Sequence, residues 1–408
     1  MTLALALAKA RFVLLAGAAL ALAACSTLSR NPVPSELTAI AVIPGLPDVR
    51  AWAGRPDESM ERDMALSFEQ ESADDFPLGA DGVVRYPHLA ISGGGANGAF
   101  GAGFLAGWTA TGTRPVFKLV TGVSTGALMA PFAFLGSNYD EELRTFYTTT
   151  TSSNIFVRGS LIRQLLTGES FADTAPLAAL IAQHVDAGLM RNVAEAHAGG
   201  RRLYIGTTNL DSQQFVVWNM GLIASNGTPE ALDLFRKVML ASASIPIAFP
   251  PVFFQVEAGD RRYDEMHVDG AVGANLFLTA GLFRPMRLRG DAARGIGRDD
   301  VFIIHNGQMH APSSAVPRTL RAIALRSLEA SGRAGMVDDL VRIYLFALQE
   351  QARFQWVGIA EGTALPGSAN FDPEAMGKLF EIGYQKALPS PGWATLPPGF
   401  GDFEDPAP

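Results

Sequence analysis

The chain has 408 residues, of which 48% are hydrophobic and 18% charged, a composition that supports one large globular domain or two smaller ones. Its net charge of −8 and its lack of any basic run argue against nucleic acid as a partner. An acidic chain also gains no attraction to anionic lipid headgroups, so membrane contact requires an anchor or apolar surface.

The N-terminus has the pattern of a bacterial export signal. Lys9 and Arg11 precede an apolar run at 12–24 that is too short to span a bilayer comfortably. The run leads into an L-A-A-C sequence that resembles the lipobox of bacterial lipoproteins, and Cys25 is the only cysteine. The resemblance implies cleavage before Cys25 and a lipid anchor on its thiol. Ser26, in place of an acidic residue, favours the outer membrane, and a secretory signal with an accidental cysteine is the alternative.

Composition divides the chain into four segments. The residues after the signal are rich in Pro, Ser and acids with weak periodicity, although 39–43 could pair as an edge strand. We predict a lipoprotein signal peptide at 1–24, a lipidated tether with an irregular extension at 25–80, a globular body at 81–388 and a loose Pro/Gly-rich tail at 389–408.

Strands alternate with helices in the body. Runs at 84–92 and 116–123 read as buried strands, each followed by helical spacing, at 99–111 and 125–135. This order predicts a three-layer α/β/α fold with a central, mostly parallel sheet. Further strands are predicted at 203–209, 214–219 and 301–305, and helices at 141–147, 161–166, 176–184, 232–243 and 318–347, the last as one or two helices.

A glycine-rich run, with Gly93, Gly94, Gly95 and Gly98, separates the first strand from its helix. Backbone N–H groups without side chains can form a nest for an anion, including an oxyanion. No G-K-[ST] follows, which argues against an NTPase loop. The run also spells G-x-G-x-x-G, but no acidic residue near 115–120 supplies the ribose contact of a dinucleotide site.

The second strand leads into a G-x-S-x-G motif formed by Gly122, Ser124 and Gly126. Flanking glycines permit the tight turn that lifts a serine hydroxyl out of a sheet. The helix that follows directs free N–H groups at the serine, which favours developing negative charge. An ordinary Gly-rich turn would give the same letters, so the strand–helix context is what favours a nucleophile.

Asp269, just beyond a strand-like segment and before Gly270, is a candidate base. A free Asp has a pKa of about 3.9 and is a weak base in water. It can serve if it is hydrogen-bonded to the serine and its proton transfer is coupled to oxyanion capture. Taken alone, a turn Asp that satisfies local backbone is the simpler interpretation.

Residues 137–200 read as a helical insertion that would line or cover an acyl site. Plain helix core is the simpler interpretation for any single apolar residue there. The candidate lining residues are Phe156, Leu161, Ile162, Leu165 and Leu166.

Together these motifs resemble the patatin-like phospholipase family. Its Gly-rich oxyanion loop, G-x-S-x-G and D-G-[GA] are matched at 93–98, 122–126 and 269–271. A fourth block at 241–251 is similar to the family's A-S-x-A-x-P-x-x-F-P-P, with Ser for the second Ala. The resemblance covers roughly 86–310, and it implies that the globular body is a patatin-like catalytic domain.

The resemblance implies a lipid acyl hydrolase with Ser124 as nucleophile, Asp269 as base, and Gly94 and Gly95 as oxyanion donors. Its substrate would be a membrane lipid or another acyl ester, and neither a metal nor a cofactor is implied. Asn97 departs from the Lys or Arg of many members. This puts a charge-based headgroup contact in doubt, but not the hydrolysis.

Two alternatives stay open. An α/β-hydrolase triad is permitted by the order Ser124, Asp269 and then His305 or His310. Only 30 positions separate Gly94 from Ser124, fewer than such hydrolases place there, and we interpret His305 as structural. A catalytically silent envelope lipoprotein that binds lipid in the same pocket is the second alternative, and the intact motifs argue against it.

Overall fold

The computed structural model describes residues 30–155, 157–158, 172–290, 295–310, 313–367, 370–388 and 392–400. Several predictions fall outside these residues: Cys25 and the signal peptide at 1–24, the helix at 161–166, and the lining candidates Phe156, Leu161, Ile162, Leu165 and Leu166.

A nine-stranded sheet forms the centre of the described part of the chain. Its strands are β1 (Arg50–Trp52), β2 (Val83–Ile91), β3 (Leu119–Val123), β6 (Arg202–Asn209), β7 (Gln214–Asn219), β8 (Val252–Ala258), β9 (Arg261–Asp269), β10 (Ile296–His305) and β11 (Arg353–Gly358). A separate antiparallel pair joins β4 (Val157–Arg158) and β5 (Ala172–Asp173).

The order across the sheet is β1-β7-β6-β3-β2-β10-β11, and β9 pairs with both β6 and β8. The five strands from β6 to β11 in this order are parallel, whereas β1, β7, β8 and β9 pair antiparallel. Every residue of β3 and β6 is buried, as expected for parallel strands covered on both faces. The predicted three-layer α/β/α fold with a mostly parallel centre is confirmed.

Helices cover the sheet. The predicted helix at 318–347 is one continuous helix of 30 residues.

No helix of the described ranges is both long and apolar enough to cross a bilayer. The helices are α1 (Glu58–Gln70), α2 (Gly98–Ala110), α3 (Thr125–Leu135), α4 (Asp140–Thr149), α5 (Ser152–Ile155), α6 (Ala175–His184), α7 (Ala187–Ala198), α8 (Met220–Asn226), α9 (Pro229–Ser242), α10 (Pro285–Leu288), α11 (Leu320–Gln349) and α12 (Pro373–Ala387).

Small residues let α2 and α12 pack backbone to backbone. A side chain at Gly103 or Gly107 of α2 would overlap carbonyl groups of α12, and one at Gly383 would overlap α2. The sequence predicted the small-residue helix α2 but not its partner α12. This close packing fixes α2, and with it the glycine-rich run that leads into its N-terminus.

The extension at 25–80 was predicted to be irregular, but its described part, 30–80, contains a strand and a helix. β1 joins the central sheet, and α1 buries Met60 and Met64 in the core on one face of the sheet. Acidic residues around the two methionines hide this helical spacing in the sequence. Residues 35–40 form a 3-10 helix, and in place of the possible edge strand at 39–43 Val42 makes only an isolated bridge to Glu257. The domain boundaries themselves stay predictions.

The tail at 389–408 was predicted to be loose, but its described part, 392–400, contacts the body. The ring of Trp393 lies 5.0 Å from those of Phe104 and Trp108, and Ala394 pairs with Trp356. The partial burial of the Trp393 ring favours contact with the body in a Pro/Gly-rich segment that otherwise prefers loops.

Candidate active site

Ser124 occupies a sharp turn between β3 and α3. Its φ of 56° and ψ of −124° are rare for a residue other than glycine and are typical of a nucleophile elbow. A side chain at Gly122 would overlap Gly126, and one at Gly126 would overlap the carbonyl of Ile91. The two glycines therefore permit a turn that holds Ser124 at the start of an 11-residue helix.

Asp269 reaches Ser124 from the end of β9. Residue Thr207 of β6 pairs with Asp269 in the sheet, so the carboxylate lies beside the carboxyl end of β3. The Ser124 hydroxyl donates a hydrogen bond of 2.7 Å to Oδ2 of Asp269. Oδ1 accepts from the backbone N–H of Ala271 at 2.8 Å. Two residues that are 145 positions apart in the sequence thus form one buried pair.

The electrostatics of Asp269 are unusual for a carboxylate. Burial raises its pKa to about 7, and the hydrogen bonds from Ser124 and Ala271 offset only part of that effect. Within the described ranges no Lys, Arg or His forms an ion pair with it. The group therefore titrates near neutral pH, where a general base is most useful.

The glycine-rich run lies against the serine. A Cβ on Gly93 would come within 3.1 Å of Ser124 Cβ, and Gly95 lines the same cavity as the serine. Gly94 and Gly95 have φ values of 153° and 58°, which glycine adopts readily. No acceptor for the N–H groups of Gly94 and Gly95 is found among the described residues. Gly98 begins α2 at the far end of the run.

The structure adds a residue to the elbow that the sequence interpretation missed. The backbone N–H of Ser124 donates to the hydroxyl of Ser242 at 2.9 Å, and this hydroxyl donates to the carbonyl of Gly206. Ser242 lies at the end of α9, at the start of the 241–251 block. The N–H of Ser124 itself is thus occupied and is not free to bind an oxyanion.

An apolar cavity opens beside Ser124. The insertion at 137–200 contributes Phe146, Ile155 and Leu177, in agreement with the expectation that it lines the site. The block at 241–251 and a distant loop also contribute, which the motifs did not reveal. Among the described residues the lining contains no charged side chain, and its members are Gly95, Ser124, Thr125, Leu128, Phe146, Ile155, Leu177, Ala243, Ile245, Phe249 and Phe371.

The histidines of the alternative triad do not contact the serine. Nδ1 of His305 lies 3.2 Å from the hydroxyl of Ser92, and burial lowers the pKa of His305 to about 4. His310 is exposed and lies beside Glu361. The Ser124 hydroxyl bonds to a carboxylate directly, without an imidazole between them. The geometry thus contradicts the Ser-His-Asp alternative.

The site shows no features of a metal centre. No group of three or more His, Cys, Asp or Glu side chains that could hold a metal ion occurs among the described residues. Asn97, the departure from the family pattern, is buried beside the glycine run, and its Oδ1 finds no partner in the described part of the chain.

Comparisons with known proteins come from sequence and from structure. VipD from Legionella pneumophila shares 12% identity over 74% of this chain and 65% of its own, with a TM-score of 0.37. Human GIVD cytosolic phospholipase A2 shares 11% identity over 70% of this chain and 51% of its own, with a TM-score of 0.27. This chain therefore spans less than two thirds of either protein. None of the curated proteins compared with it matches.

The sequence matches a known protein family. The family model of the patatin-like phospholipases matches residues 89–282, which contain the glycine run, the elbow serine and Asp269. This match supports activity on lipid acyl esters. Residues 89–282 of this chain are therefore similar to the patatin-like phospholipases.

Proposed function

We propose that this protein is a lipid acyl hydrolase that works through a Ser124–Asp269 dyad with Gly94 and Gly95 as oxyanion donors. The observation that carries the proposal is the 2.7 Å hydrogen bond from the serine hydroxyl to a buried carboxylate at the mouth of an apolar cavity. The family match supports the class of reaction, and the geometry supports the choice of residues.

In the first step Ser124 Oγ attacks the ester carbonyl while its proton passes to Asp269. The carbonyl oxygen gains the negative charge of the tetrahedral intermediate, and the free N–H groups of Gly94 and Gly95 stabilise it. Collapse of the intermediate expels the alcohol, which takes the proton from Asp269. Water activated by the same carboxylate then attacks the acyl-enzyme and releases a fatty acid.

The apolar cavity suits the acyl chain of the substrate. Each buried methylene contributes about 0.8 kcal/mol, and none of the lining residues that the structure describes carries a charge that would have to lose its hydration. Asn97 adds no positive charge beside the glycine run. These features support selection by the acyl chain rather than by a charged headgroup.

We also propose that the protein is anchored in the bacterial cell envelope through a lipid on Cys25, with the outer membrane as its location. The support is the lipobox-like sequence and Ser26 after the cysteine. Five positions further on, Arg30 binds Asp211 at 2.7 Å and Asp264 at 2.6 Å, so the body begins close to the proposed anchor. A Cys25→Ser variant should move from the membrane fraction to the soluble fraction, and its persistence in the membrane would contradict the anchor.

A fluorophosphonate probe tests the nucleophile. It should label the protein once, at Ser124, and Ser124→Ala should abolish both the label and the release of fatty acid from a panel of defined phospholipids and short-chain esters. A protein that binds these lipids but accepts no label and releases no product would instead be the silent lipid-binding lipoprotein.

A further inference from the structure

Asn306 follows β10 at the carboxyl edge of the sheet and lies outside the segment matched by the family. Its side chain is buried, and both of its polar atoms are hydrogen-bonded. Nδ2 donates to the carbonyl of Ser92 at 3.0 Å, and Oδ1 accepts from the backbone N–H of Gly101 at 3.0 Å. Ser92 directly precedes the glycine run, and Gly101 lies in the first turn of α2, directly after it. One amide thus ties together the two ends of the run.

The backbone of Asn306 holds the same run in its middle. Its N–H donates to the Ser92 hydroxyl at 2.9 Å. The carbonyl of Asn306 packs so closely on Gly94 that a Cβ there would overlap it. Gly94 therefore packs directly against the backbone of Asn306, and its φ of 153° is one that glycine adopts readily.

We propose that Asn306 is a positioning residue that aims the N–H groups of Gly94 and Gly95 at the oxyanion. This inference rests on the proposed role of the glycine run. Donor position matters because an oxyanion donor is typically worth about 10²–10³ in rate, and a displacement of about 1 Å can cost 10²-fold. A glycine-rich run cannot hold its own shape, since glycine has wide backbone freedom. The Asn306 amide supplies the constraint that the run lacks.

Two substitutions separate the bonds that Asn306 makes. Asn306→Ala removes both side-chain bonds. Asn306→Asp keeps the shape and the bond accepted from Gly101, but sets a carboxylate oxygen against the Ser92 carbonyl. Gln308→Ala is the matched control, because Gln308 is also buried and its amide donates two bonds of 2.9 Å, to Ala360 and Thr363 rather than to the run.

Three readouts distinguish positioning from general destabilisation: kcat and KM on a soluble short-chain ester, the Ki of an aliphatic trifluoromethyl ketone, and Tm. The ketone forms a tetrahedral adduct on the serine and therefore needs the oxyanion donors. We expect both Asn306 variants to lose about 10–100-fold in kcat with KM within about 3-fold, and Ki to rise in parallel. Gln308→Ala should lower Tm comparably and leave kcat and Ki within about 3-fold.

Wild-type kcat and Ki in a folded Asn306 variant would overturn the proposal, as would equal losses in Gln308→Ala. If Asn306→Ala does not fold, Asn306→Asp carries the test. Ser124→Ala, measured in parallel, separates this proposal from the proposed function. If Ser124→Ala retains activity, the dyad is wrong, whereas an inactive Ser124→Ala beside fully active Asn306 variants refutes only the positioning role.

Discussion

The two ends of the neighbouring strands β3 and β6 differ in whether the buried carboxylates there have cationic partners. At their amino ends, Lys118 pairs with Glu71 at 2.9 Å, and Arg202 pairs with Asp63 at 2.7 Å. At their carboxyl ends lie the Ser124 hydroxyl and the carboxylate of Asp269, without a cation among the described residues. We call the amino end compensated, because each buried carboxylate there has a cationic partner. We call the carboxyl end uncompensated, because Asp269 has none among the described residues.

Two buried aspartates make the difference measurable. Burial alone would raise the pKa of Asp63, but the hydrogen bond from His197 and the charge of Arg202 outweigh it and hold the pKa below its usual value. Burial of Asp269 meets no such opposition, so its pKa rises to about 7. A carboxylate with a structural role is thus held ionised by a cation, and one that must take up a proton is left without one.

The largest expected effect is on activity at the uncompensated end. We expect Ser124→Ala and Asp269→Asn each to lower kcat/KM by at least about 10³, because members of a cooperating unit fail together. The measurement is fatty acid release from a defined ester. His310→Ala, at an exposed site, should retain activity. A large loss at His310 with little loss at Asp269 would show that the wrong base has been identified.

The two aspartates should respond in opposite directions when their charge is removed. Asp63→Asn breaks a buried ion pair and should destabilise the fold by about 3 kcal/mol at pH 7. Because the folded pKa of Asp63 is lowered, that contribution is present above about pH 4 and is lost as the pH falls further. The measurement is the free energy of unfolding in urea as a function of pH.

For Asp269 the sign reverses. The pKa of Asp269 is raised to about 7. Its contribution to the free energy of unfolding is therefore complete below about pH 4, and it is lost as the pH rises towards 7. Asp269→Asn stays neutral and should therefore have a higher Tm than the wild type at pH 8, with no advantage at pH 4. A lower Tm at pH 8 would mean that the charge of Asp269 is compensated after all, and the comparison between the two strand ends would fail.

The sequence predicted the uncompensated end far better than the compensated one. Ser124 and Asp269 stand in short motifs whose glycines mark sharp turns, so local pattern was enough to find them. Arg202 contacts Asp63 across 139 positions, and no periodicity signals such a pairing. The role of Asn306 was missed for the same reason, because its hydrogen bonds join residues that are far apart in the sequence. At the end of that strand only His305 was considered. Local patterns predicted the parallel sheet, and only long-range packing reveals what steadies the site.

The pH dependence of activity tests the uncompensated carboxylate directly. A base acts when it is ionised, so a pKa near 7 should place the acid limb of kcat/KM near pH 7, with a fall of about tenfold per unit below it. A limb near pH 4 would indicate a solvated carboxylate. Asp63→Asn serves as the control, because its kcat/KM should keep the same limb if the two ends are independent.

The smallest expected effect concerns the acyl cavity, which lies at the same uncompensated end of the strands. Phe371 lines this cavity, and Phe371→Ala would enlarge it. At about 0.8 kcal/mol for each additional buried methylene, the ratio of kcat/KM for long to short acyl chains should rise about 3–10-fold. Leu345→Ala, at an exposed position on α11, is the matched control and should leave the ratio unchanged. An unchanged ratio in Phe371→Ala would place the acyl chain elsewhere. A changed ratio with an unchanged acid limb would show that chain selection and proton transfer are separate properties of one end of the sheet.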